Sequence, residues 1–119
     1  YIDDVVNSIV KVLDKPPKEH KSLEKSYFTP ENSWAPHKIF NVGNSKPIKL
    51  LDFLKVLEEI LGVKAKINYL PMQSGDVEAT ESDTTILEDY IKYKPNTLIK
   101  NGIKEFVDWY KEFYKISHY

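Results

Sequence analysis

Between Leu50 and Leu61 the apolar residues Leu50, Phe53, Leu54, Leu57, Ile60 and Leu61 recur at intervals of three and four. That spacing gathers them on one side of an α-helix, and a helix with such a stripe must lay it against something apolar. Asp52 falls in the first turn, where a negative charge suits the helix dipole. Gly62 is the natural stop, because glycine takes the left-handed conformation at little cost. A second run keeps the same period through Ile99, Ile103, Phe106, Val107, Tyr110 and Tyr114, with Trp109 and Phe113 widening its apolar face. Thr97 is its expected N-cap. Gly102 inside it costs about 1 kcal/mol against alanine, so it is expected to permit a close helix contact.

Two further helices are expected. Val5, Val6, Ile9, Val10 and Leu13 hold the helical period, with Asp3 or Asp4 as cap, until Lys15-Pro16-Pro17 ends the run. Ile86, Leu87 and Tyr90 form a short one before Lys94-Pro95-Asn96, capped by Asp83 or by a Thr85/Glu88 box. Strands are expected at 37–42, where Ile39, Phe40 and Val42 are apolar, and at 64–69, where Ala65, Ile67 and Tyr69 alternate. The first runs into Gly43-Asn44-Ser45 and then a helix, which is half of a βα unit. These elements predict an α/β fold within one domain, 1–119. Residues 15–37 carry Pro16, Pro17, Pro30 and Pro36 and no periodicity, so they read as an irregular loop, either a surface excursion or a lid. Tyr27, Phe28 and Trp34 are expected to pin it to the body rather than to line a pocket.

Composition excludes several functions. With 119 residues, 41% hydrophobic and 29% charged, the chain is long enough for a core. A net charge of −1 offers no field for nucleic acid or an anionic membrane. No apolar run approaches the roughly 20 residues of a membrane span. The chain has no cysteine, which rules out disulfides and thiolate chemistry and allows a reducing compartment. The expected location is cytoplasmic. Tyr1 opens the sequence and the single methionine is Met72, so the chain reads as a fragment lacking an N-terminal part.

The stretch Leu70-Pro71-Met72-Gln73-Ser74-Gly75-Asp76-Val77 is a shaped loop, since Pro71 and Gly75 forbid a regular element through it. An amide, a hydroxyl, a flexible backbone position and a carboxylate follow one another from Gln73 to Asp76. That set suits a sugar hydroxyl or a ribose diol. It equally suits a plain turn in which the aspartate bonds its own backbone. Elsewhere the chemistry thins out. Tyr90 and Lys94 have a Tyr-x-x-x-Lys spacing, but it crosses a helix end before Pro95, so the pair is not expected to stack. Ser22-x-x-Lys25 has no partner motif. His20, His37 and His118 lack metal-ligand spacing, and no metal is expected. The four glycines make no phosphate-cradling loop. No complete catalytic constellation is present.

Taken in order, five segments resemble a known family: Tyr1-Ile2-Asp3-Asp4-Val5-Val6, Phe40-Asn41-Val42-Gly43-Asn44-Ser45, the 70–77 loop, Ser82-Asp83-Thr84, and Phe106-Val107-Asp108-Trp109-Tyr110. They look like the C-terminal part of nucleotide-sugar epimerases of the extended short-chain dehydrogenase/reductase family. The Pro-Met-Gln-x-Gly-Asp-Val form is most similar to the UDP-glucuronate 4-epimerase branch. The resemblance covers essentially the whole chain.

This resemblance implies the C-terminal substrate-binding portion of a Rossmann-type enzyme whose NAD-binding half is missing. In the family, NAD sits in that N-terminal half, where a Tyr-x-x-x-Lys helix moves the proton and hydride leaves and returns at C4 of the sugar. The C-terminal part holds the UDP-sugar, and the family's loop positions for the nucleotide correspond to Gln73 and Asp76. Catalytic and cofactor-binding residues are expected to be absent, so the fragment alone is expected to be inactive. The family's phosphate-binding Arg before the Tyr-Ile-Asp-Asp run is also missing. The whole enzyme is expected to be a homodimer. The fragment is expected to self-associate, because an unpaired strand at 39–42 and apolar helix faces seek partners. UDP-glucuronate decarboxylases and nucleotide-sugar 4,6-dehydratases share the scaffold and are alternatives. A binding module without catalytic history is the alternative from another class.

Overall fold

The computed structural model describes residues 1–19 and 29–116. Four helices appear among them: α1 (Ile2–Leu13), α2 (Leu50–Leu61), α3 (Thr85–Ile91) and α4 (Ile99–Phe113). They gather into two compact units. One contains 46–80 and the described residues from 97 onward, together with Tyr1; the other contains the described part of 2–45 and 81–96.

In the first unit α2 packs on α4. Ile103 and Val107 of α4 are 6% and 2% exposed, and Leu54, Leu57, Ile60 and Leu61 of α2 are partly buried. The helix expected over 50–61 is thus present, with Asp52 in its first turn. Gly62 closes it with φ +74°, its N–H donating to the Glu58 carbonyl at 2.8 Å. The Glu58 carboxylate reaches past that stop. One oxygen accepts from Lys64 Nζ at 2.7 Å and the other from the Ala65 N–H at 2.8 Å. Those bonds, led by Lys64, hold the Glu58 carboxyl below the ordinary carboxylate value. Two details differ from expectation. The N-cap of α4 is Leu98 rather than Thr97. At Gly102, an added Cβ would lie 3.3 Å from the Tyr1 ring, so it is an aromatic side chain that comes close.

In the second unit α1 meets α3. Leu87 of α3 is fully buried. On α1 the buried residues are Asp4 and Ser8, at 6% and 1% exposure. Ser8 Oγ donates to the Asp4 carbonyl at 2.7 Å, and Tyr93 Oη donates to Asp4 Oδ1 at 2.9 Å. The helix begins at Ile2, so Asp3 and Asp4 lie in its first turn and do not cap it. The apolar face read from the sequence points outward: Val6, Ile9, Val10 and Leu13 are all about half exposed or more. The period was legible, but which face would find cover was not. Trp34, expected to pin the loop, is 64% exposed, while Tyr27, Phe28, Ser22, Lys25, His20 and His118 lie outside the described residues.

The expected strands at 37–42 and 64–69 do not form. Among the described residues the only β pairing is an isolated antiparallel bridge between Asn32 and Lys38, beside which the Ile39 N–H donates to the Glu31 carbonyl at 2.8 Å. The described chain is helical and does not bear out the α/β expectation. A strand exists through its ladder of hydrogen bonds to a neighbour, and an alternating sequence supplies only one side of that ladder.

Candidate functional site

Gln73 and Asp76 stand in one turn. The Asp76 N–H donates to the Gln73 carbonyl at 3.2 Å, which brings the two residues to the ends of a four-residue reversal. Gly75 takes φ +96°, a conformation that a side chain would strain. Every residue from Gly62 to Thr80 is exposed. The amide of Gln73, the hydroxyl of Ser74 and the carboxylate of Asp76 therefore share one accessible turn. Chemically, such a turn can accept hydrogen bonds from a diol and donate one through an amide.

A denser polar cluster lies in the second unit, and it ties 41–45 to 82–94. Ser45 Oγ donates to the Ser82 carbonyl at 3.0 Å and lies 2.6 Å from Thr84 Oγ1. Thr84, only 2% exposed, donates from Oγ1 to Glu88 Oε1 at 2.6 Å. The other Glu88 oxygen takes Lys94 Nζ at 2.9 Å. Glu88 is held below the ordinary carboxylate value first by Thr84 and then by Lys94. Asp83 accepts the Thr85 N–H at 2.9 Å and its carboxyl is likewise lowered, by its bonds to Thr85. The N-cap of α3 is Thr84 rather than the expected Asp83, although Asp83 accepts from the Thr85 backbone, and the partner of Glu88 is Thr84 rather than Thr85. Asn41 Nδ2 reaches the Asp83 carbonyl at 3.4 Å. A hollow of about 380 Å³ opens beside these groups, lined by Ser45, Ser82, Asp83, Thr85, Glu88 and Lys94 among others.

The sequence reading gave this cluster no role of its own. The segments Phe40–Ser45 and Ser82–Thr84, and the expected caps Asp83 and Glu88, were read separately, and their meeting is a tertiary fact. Tyr90 and Lys94, the apparent Tyr-x-x-x-Lys pair, are engaged elsewhere. Tyr90 Oη donates to the Lys15 carbonyl at 2.9 Å, and Lys94 is bound to Glu88. Lys15 Nζ in turn donates to the Tyr90 carbonyl at 2.6 Å and lies 4.6 Å from the Tyr90 ring centre. No group of three or more metal-ligating side chains occurs among the described residues. No helix there is long and apolar enough to cross a membrane.

No family model matches the chain. Among curated proteins, it is 42% identical over 116 residues to an uncharacterised 37.6 kDa protein of Escherichia coli O111:H-, covering 98% of this chain and 35% of that one. It is 39% identical over 115 residues to Protein CapI of Staphylococcus aureus, covering 97% and 34%. Over 119 residues it is 36% identical to a probable UDP-glucuronate 4-epimerase of Rhizobium meliloti (strain 1021), covering 99% and 35%. The chain is related to the UDP-glucuronate 4-epimerases. It spans about a third of the length of the curated relatives it matches. The resemblance to an epimerase C-terminal part, carried in the sequence by five short segments, thus extends over nearly all of this chain. Of the residues that the epimerase resemblance assigns to the nucleotide, both stand in the exposed 73–76 turn.

Proposed function

We propose that this chain is the substrate-binding part of an NAD-dependent nucleotide-sugar 4-epimerase acting on UDP-glucuronate or UDP-galacturonate. The observation that carries the reading is the alignment of nearly all of this chain with 35% of the length of a probable UDP-glucuronate 4-epimerase. The placement of Gln73 and Asp76 in one accessible turn supports it. On this reading Asp76 accepts from the ribose hydroxyls and Gln73 meets the uridine diphosphate, so the chain contributes binding rather than bond-making.

The residues present do not fit NAD. Gly62 closes α2, Gly75 sits in the 73–76 turn, Gly102 lies inside α4 beneath the Tyr1 ring, and Gly43 is pressed against Ser82. None belongs to a glycine loop that opens a helix onto a pyrophosphate. NAD is therefore proposed for the longer protein and not for these residues. The same holds for catalysis: Tyr90 and Lys94 supply no acid/base pair, and the chain alone is proposed to be inactive. The longer protein is proposed to be a cytoplasmic homodimer with no nucleic-acid partner, and this chain to self-associate.

The test is an amide NMR titration of the chain with UDP, with glucose as the uncharged control. Shifts at Gln73–Val77 that vanish in Asp76→Ala are the expected result. A folded sample with no shifts up to about millimolar UDP, the range of a marginal site, would remove the binding role from this turn.

A further inference from the structure

We draw no further inference here: the strongest candidate, the exposed apolar face of α1 (Ile2, Val6, Ile9 and Leu13) with the hollow beside it lined by Phe40, Val42 and Leu87, carries nothing because nothing in the structure shows what covers it.

Discussion

The bend at 41–45 and the turn at 73–76 are both short, polar and contain a glycine, yet they are held in opposite ways. The first is laced: Ser45 reaches Ser82 and Thr84, Asn41 reaches Asp83, and Glu88 carries the network on to Lys94. The second is closed by its own backbone, through the Asp76 to Gln73 hydrogen bond, and stands in solvent. The Ser45 hydroxyl in the first is already engaged by protein. The polar side chains of the second are accessible. A polar turn therefore signals function less by its composition than by whether its side chains already serve the fold.

Leu87→Ala is the most severe way to break this contrast. Leu87 is fully buried, and removing its side chain is expected to cost about 2–5 kcal/mol. Thermal unfolding followed by circular dichroism should show the loss. Amide shifts should show the 43–45 and 82–88 residues disturbed while the 73–76 turn keeps its positions. Equal disturbance of both turns would remove the distinction between laced and free.

The two glycines sharpen it. A Cβ at Gly43 would stand 2.7 Å from Ser82 Cβ, so Gly43→Ala forces the laced segments apart. The expected cost is that of overpacking, about 1–3 kcal/mol. Gly75 has open space around it and only its φ of +96° to lose. Gly75→Ala is expected to cost less, because a turn tied only to itself relieves strain by shifting. Urea midpoints of the two variants give the order, and a reversed order would count against the lacing.

The same contrast explains what the sequence made legible. The helix over 50–61 was readable because its period and its Gly62 stop are both local. The start of α3 was readable to within one residue for the same reason: its cap is Thr84, and Asp83 beside it serves a backbone donor two residues away. The strands at 37–42 and 64–69 failed because a strand is defined by a neighbour that alternation does not identify. The orientation of α1 failed similarly: the buried face holds Asp4, whose partner Tyr93 lies 89 residues further along the chain. The 73–76 turn was found because its four residues are consecutive. The Ser45–Thr84–Glu88 network was missed because its parts are about 40 residues apart in sequence.

Acid should loosen the laced turn. Glu88 has its folded-state carboxyl lowered, so it binds a proton less readily folded than unfolded. Its contribution is present above the unfolded value, about 4.3 for glutamate, and is lost as pH falls through the lower folded value. Glu88→Gln is therefore expected to be less stable than the parent chain at pH 7, with the gap narrowing in acid. Denaturation midpoints at the two pH values measure this. Glu58→Gln should show the same sign, since its carboxyl is lowered by Lys64 and Ala65, but without disturbing amides at 43–45. A gap that stays constant with pH would show that the Glu88 charge is not what ties Thr84 to Lys94.

Asp76→Ala is expected to change stability least. Its backbone N–H closes the turn and is untouched by the substitution, and the side chain is exposed. A change within about 0.5 kcal/mol is the ordinary result for such a surface position. The turn should thus survive while its carboxylate is gone, which separates binding from folding more cleanly than any change in the laced cluster can. If Asp76→Ala unfolded the chain as Leu87→Ala does, the aspartate would be a structural member of the turn, and its candidacy for a ribose would lose its physical basis. If it left both stability and UDP shifts untouched, the nucleotide would be held elsewhere. Loss of the shifts at unchanged stability is the outcome that an accessible, self-closed turn predicts.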